Sequence, residues 1–310
     1  MVAMAVVVIT MAGGDNMFAT APVTSLASPA EWLVVDIETG NAPEAAIINA
    51  IAKQKPAANA KTIEEINADA MQAIANWKAP SNFKDSVKIA ERRQSFIESV
   101  ETERLAAIEK IVERQTEVVT RIRDRSALLD SAPILCIGMQ TEVGVISFNG
   151  MNEGDCDING VRVVSCGDER SMLIAVREWA EYYTSPDTVI VGHNIKGFDL
   201  PKIRNAYMRH KLILPAVFAP RIAGESQSVV DTASLFRSFS VEHKDDFCPS
   251  LSAMCSTLDI PLPKSVVSGS EVPSMHSEGK YHDILIYNVI DVMATTRAYL
   301  LMSGQANDLA

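Results

Sequence analysis

Three places in the chain put carboxylates where they can do chemistry. In Asp36-Ile37-Glu38-Thr39-Gly40 two acids are one residue apart, so on a persisting strand both side chains project from the same face. In the segment from His193 through Asn194, Lys196, Phe198 and Asp199 to Pro201, an acid follows a glycine-containing loop and precedes a helix, which also suits a simple N-cap. In Tyr287-Asn288-Val289-Ile290-Asp291 a phenol and a carboxylate lie one helical turn apart. Tyr287 by itself reads as an ordinary half-buried helix residue. Asp291 sits among Ile284, Leu285, Ile286, Val289, Ile290 and Val292, where a carboxylate is costly unless paired, capped or bound to a cation. Four carboxylates converging on one cleft would suit two hard divalent cations, Mg2+ or Mn2+, and phosphodiester hydrolysis.

The elements that must position these acids are legible in outline. Residues 32–37 form a short β-branched run, read as a buried strand that delivers Asp36 and Glu38 at its end. Residues 42–130 are rich in Ala, Glu, Lys, Arg and Gln, with prolines only at Pro43, Pro56 and Pro80, so this stretch reads as helical with breaks there. Within it Leu105, Ile108, Val112, Gln115, Val119 and Ile122 follow a heptad-like spacing, which predicts a long helix with a coiled-coil-like seam. Strands follow at 134–139, 143–148, 161–165 and 188–191, helices at 168–183, 200–210 and 282–302, and short elements at 229–231 and 250–258. Alternating strands and helices imply a layered α/β core.

The 310 residues carry 28 basic and 39 acidic side chains, net −11, which argues against coating nucleic acid by bulk charge but not against a nuclease whose metals reverse the sign locally. Five cysteines without a C-x-x-C pair indicate neither a disulfide framework nor a zinc knuckle. The apolar start has no Lys or Arg before Lys53, so it does not read as a signal peptide, and no apolar run reads as a membrane span.

Taken in order, Asp36 to Gly40, His193 to Pro201 and Tyr287 to Asp291 resemble the three motifs of the DEDD (DnaQ-like) 3′-5′ exonucleases. The tyrosine marks the tyrosine-bearing branch. More narrowly, the chain is similar to stand-alone phage and prophage exonucleases related to the proofreading domain of family-B DNA polymerases. Supporting fragments are Ala79-Pro80-Ser81-Asn82-Phe83-Lys84-Asp85, Pro133-Ile134-Leu135-Cys136-Ile137-Gly138, Ser250-Leu251-Ser252-Ala253-Met254-Cys255 and Asp291-Val292-Met293-Ala294-Thr295-Thr296.

The resemblance implies an α/β, ribonuclease-H-like three-layer fold with a mixed five-stranded sheet. The exonuclease domain would span 31–305, interrupted by a helical insertion at 42–130, with tails at 1–30 and 306–310. It implies that Asp36 bridges two cations, Glu38 and Asp291 complete the first site, Asp199 serves the second, and Tyr287 orients the attacking water. Asn194, Phe198, Thr39 and Lys196 would contact nucleic acid, beside a basic cluster of Lys196, Lys202, Arg204, Arg209 and Lys211. The implied product is a nucleoside 5′-monophosphate, released in the cytoplasm of a bacterium or phage-infected host, by an enzyme acting free-standing or in trans. The expected partner is a DNA 3′ end; an RNA strand, or a non-catalytic scaffold, is the alternative. The insertion would serve a replication or recombination partner or self-association, and no membrane is expected.

Overall fold

The computed structural model describes residues 28–55, 60–82, 84–220, 228–262 and 268–305. The expected N-terminal tail up to residue 27, the expected tail at 306–310, Pro56 and Phe83 lie outside the described residues. The chain folds as two compact units, one formed by the residues up to Glu38 and from Ile134 on, the other by Thr39–Pro133.

The first unit is built on a mixed seven-stranded sheet. Its strands are β1 (Trp32–Thr39), β2 (Ile134–Thr141), β3 (Gly144–Asn149), β4 (Cys156–Ile158), β5 (Val161–Ser165), β6 (Val189–Gly192) and β7 (Val229–Asp231), in the order β4-β5-β3-β2-β1-β6-β7. β1 pairs in parallel with β6, and β6 with β7. β2 and β3 form an antiparallel hairpin, β3 pairs in parallel with β5, and β4 turns back antiparallel onto β5. β1 runs opposite to β2: its first N–H groups, on Glu31 and Trp32, donate to Glu142 beyond the end of β2, while Gly40 N donates to Pro133 O before its start. The sheet thus has seven strands where five were expected. The two short edge strands, β4 and β7, have three residues each, too few for alternation to mark them as strands; β7 coincides with the short element expected at 229–231, and β4 was not expected. Asn159-Gly160, both with positive φ (53° and 80°), is a primed hairpin turn and was the available signal for β4.

Helices cover both faces. On one, α4 (Glu169–Tyr183) and α5 (Asp199–Arg209) bury Leu173, Val176, Leu200, Ile203 and Tyr207 against Leu33, Val35 and Ile37. On the other, α9 (Tyr281–Met302) buries Ile284, Leu285 and Val289 against Leu135 and Cys136, and Val292 against Trp32 and Val34. Odd and even residues of β1 therefore serve opposite cores, as a period of two requires. Where no membrane-length apolar run was expected, α9 is long and apolar enough, by length and composition, to cross a bilayer; more than half of its apolar 18-residue window is buried inside the protein. Three shorter helices, α6 (Thr232–Phe239), α7 (Leu251–Thr257) and α8 (Val272–Ser277), precede α9.

The second unit holds α1 (Glu44–Ala52), α2 (Ile63–Ala75) and the 39-residue α3 (Ser86–Asp124), about 58 Å long at 1.5 Å per residue. Pro43 sits at the N-terminus of α1, a capping box of Thr62 and Glu65 starts α2, and Asp85 caps α3. The expected seam is only half realised. Ile108, Val119 and Ile122 are partly covered, whereas Leu105, Val112 and Gln115 are exposed and the covered stripe runs instead through Arg104, Ala107 and Ile111. A straight helix keeps 3.6 residues per turn, so its contact stripe drifts off a strict 3.5-residue seam.

Candidate active site

Asp36 and Glu38 continue the even face of β1, the face that Trp32 and Val34 turn toward α9. α9 places Asp291 one residue before Val292, which packs in that same cluster, so the strand period and the helix turn deliver three acids to one spot. Ligand oxygens of Asp36, Glu38 and Asp291 all lie within 4.8 Å of one another. Glu38 and Asp291 are buried, and Asp36 is the one residue of β1 that stays partly exposed.

Asp199 arrives differently. The β1–β6 pairing ends at Val34 with Val191, so the N–H of Ile37 has no strand partner on that side. Asp199, at the first turn of α5, accepts that N–H at 3.1 Å while itself only 4 % exposed. It is the first helical residue rather than the N-cap, a position held by Phe198. The structure thus gathers three of the four expected acids at ligand distance from one another and fixes the fourth to the backbone between Asp36 and Glu38.

The charges are held against their preference. Burial, then the Asp291 and Asp199 carboxylates, keep the Asp36 carboxyl well above the usual range, while hydrogen bonding from Asn288 pulls the other way. Burial, then the Asp36, Asp291 and Asp199 carboxylates, raise Glu38 well above the usual range. Burial pushes Asp199 up to about 7 and Asp291 up to about 6, the latter eased by a hydrogen bond from the Tyr287 hydroxyl. Burial and the surrounding acids raise Tyr287 as well, so it remains a protonated donor. Hydrogen bonds, rather than cationic side chains, ease Asp36, Asp199 and Asp291, and nothing eases Glu38 among the described residues. An all-oxygen, mutually repelling, buried carboxylate set fits a hard divalent cation such as Mg2+ or Mn2+.

Beside Tyr287 and Asp291 opens a cavity of about 580 Å3, lined by Ser250, Ser252, Ser256 and Ser268 together with Leu251 and Ile260. Its mixture of hydroxyls and apolar side chains suits a sugar and a base.

The other expected contact residues are placed unevenly. Lys196 is exposed, and Asn194 and Phe198 are half-buried at the loop before α5. Asn194 adopts a left-handed conformation (φ 58°), and Lys202, itself buried, lies over the Phe198 ring at 5.6 Å. Thr39 is buried, its hydroxyl 3.5 Å from Ala127 O. His193, just after β6, ties α6 to the segment that leads into α7: Nδ1 meets the Thr232 hydroxyl at 3.2 Å, and Nε2 donates to Pro249 O at 2.8 Å, so both ring nitrogens are engaged. The expected basic cluster does not form one face. Lys202 is buried, Arg204 is half-buried and donates to Phe218 O, and Arg209, though exposed, is paired with Glu169 at 2.7 Å, so these cations are spread around α5 and engaged with other groups.

Two residues at the site were not singled out from sequence. Asn288, fully buried, donates its amide to Asp36 at the backbone O (3.2 Å) and Oδ2 (2.9 Å), while its Oδ1 accepts from Ser147 Oγ at 3.0 Å. Gly138 lies opposite Ser147 in the β2–β3 pairing, and a Cβ there would stand 2.7 Å from Asn288 Oδ1. Asp231 ends β7 and accepts N–H groups from Asn194 (3.1 Å) and Lys196 (3.3 Å) as well as from Ala233 and Ser234 at the start of α6. An acid closing a β-branched run, the same signal as at Asp36, was present at Val229-Val230-Asp231.

Residues 143–309, more than half of the chain, match the family described as "predicted 3′-5′ exonuclease related to the exonuclease domain of PolB". No curated protein matches the chain. The matched stretch contains Asp199, Tyr287 and Asp291, and the fold adds Asp36 and Glu38 to them from outside it; the chain belongs to this family of predicted exonucleases.

Proposed function

We propose that the protein hydrolyses terminal phosphodiesters of DNA from the 3′ end, at single-stranded or frayed ends, releasing nucleoside 5′-monophosphates with the help of two divalent cations, Mg2+ or Mn2+. The observation that carries this reading is the Asp36–Glu38–Asp291 cluster, three carboxylates raised by burial, Asp36 and Glu38 also by the acids around them, and lying beside a nucleotide-sized cavity. Asp36, Glu38 and Asp291 would hold one cation, and Asp36 with Asp199 the other. Bound there, the cations supply the positive charge that favours attack by water and departure of the sugar oxygen. Tyr287, protonated and donating to Asp291, orients the water rather than deprotonating it. The serine- and leucine-lined cavity receives the terminal nucleotide, with Asn194, Phe198 and Lys196 along the loop that follows β6.

The test is digestion of a 5′-labelled single strand with Mg2+ or Mn2+, run in parallel on DNA and on RNA of the same sequence. Stepwise shortening of the DNA from its 3′ end is expected. Asp36→Ala and Asp199→Ala should each lower the rate by about a thousandfold or more, the scale reached when one member of a catalytic unit is removed. Retention of activity in the double variant, or preference for RNA, would overturn the reading or its substrate.

A further inference from the structure

The segment joining α2 to α3 carries chemistry that the catalytic site does not use. Residues 77–93 hold five basic side chains against two acidic ones, net +3 in a chain of net −11. Within the second unit they frame an open groove of about 780 Å3. Trp77 and Lys78 line it from the end of α2; Lys88, Arg92 and Phe96 line it from α3. The last three recur every four residues, so one face of α3 presents two cations and then a ring. Trp77 and Phe96 are half-buried, which holds the rings in place while leaving surface to stack on, and Lys78 and Lys88 are exposed with no acidic partner among the described residues. Glu91 also lines the groove, so the balance of charge, not its uniformity, favours an anion.

We infer that this groove binds single-stranded nucleic acid, with Lys78, Lys88 and Arg92 along the phosphates and Trp77 and Phe96 stacked on unpaired bases. Cations that follow a backbone, interleaved with rings that accept any base, are the physical requirement for holding a single strand without reading its sequence. A protein partner would more readily use the rings alone and would leave two unpaired lysines at its interface. The class of ligand rests on the nuclease reading; the groove itself does not.

The test is binding of a fluorescein-labelled single-stranded DNA, and of RNA of the same sequence, to the full chain in EDTA, where no cleavage competes. Wild type is expected to bind with quenching of indole emission, because Trp32 and Trp179 are buried and Trp77 is the indole at the groove. Lys88→Glu with Arg92→Glu should weaken binding at least about tenfold and reduce the slope of log K against log salt by about 1.4, the value for two lost phosphate contacts on a single strand. Trp77→Ala should weaken binding about tenfold, and Trp77→Phe should restore most of it. Should Trp77→Ala fail to fold, the surface charge pair decides alone. If the charge-reversed chain binds like wild type with the same salt slope while wild type still shortens DNA, the groove is overturned and the nuclease stands. If wild type binds through the groove yet shortens no strand, the nuclease reading falls and the groove stands.

Discussion

At the scale of single residues, the candidate site is a set of acids kept together by neighbours that have no charge to offer. Asn288 is the most committed of these: its amide can point toward Asp36 in only one sense, because Ser147 donates to its oxygen. Asn288→Ala should therefore weaken binding of Mn2+ by about tenfold to a hundredfold, the usual consequence of losing a group that orients a ligand. Titration calorimetry on wild type and variant checks this, and equal affinities would remove Asn288 from the site. Asp199 makes a second prediction. In the native state it keeps its proton up to about pH 7, whereas an unfolded aspartic acid releases it near pH 4. Between these values the native state binds more protons than the unfolded one, so stability falls as pH rises through that window. Without metal, the melting temperature should drop between about pH 4 and pH 7, Asp199→Asn should flatten the drop, and Mg2+ should reverse it at the upper end. A melting series over pH reads all three.

At the scale of elements, the site depends on strands of unequal length. β1 extends past β6, and the bare N–H this creates on Ile37 is what Asp199 satisfies. The loop from β6 into α5 is in turn held by Asp231, which caps α6 with the same carboxylate. Asp231→Ala should cost about 1–2 kcal/mol by denaturant unfolding, as N-cap losses do, and Asp231→Asn, which keeps the acceptor oxygen, should cost less. Gly192, at the end of β6, is constrained by contact rather than by its own dihedrals: a Cβ would stand 2.9 Å from Val35 O and 2.7 Å from the Ile195 side chain. Gly192→Ala should destabilise by about 1–3 kcal/mol, the range for overpacking, and disturb the loop that carries Asn194 and Phe198.

At the scale of the whole molecule, the chain departs for its second unit just after Glu38 and returns just before Ile134. Gly40 N and Pro133 O are hydrogen-bonded at 3.0 Å, so the two crossings are adjacent. Replacing residues 41–132 by a short glycine-containing turn should leave the seven-stranded unit folding cooperatively, because the excised part keeps its own apolar cluster of Ala42, Ile47 and Ala132. Circular dichroism and thermal melting of the shortened chain check this; an unfolded product would show that the second unit supports the first.

The sequence by itself determined which neighbouring side chains share a face. The two-residue period of a strand sets Asp36 beside Glu38, and the helical turn sets Tyr287 beside Asp291, through backbone geometry that needs no partner. It also determined the long helix after Gly40, whose composition and caps are local. Only the tertiary structure decided the rest. Asp199 bonds a residue 162 positions away, Asn288 a residue 252 away, and Ser147 reaches Asn288 only because Gly138 stands opposite it in the β2–β3 register. Register and strand overhang follow from packing sheets and helices over the whole unit, and no local pattern in the chain encodes them.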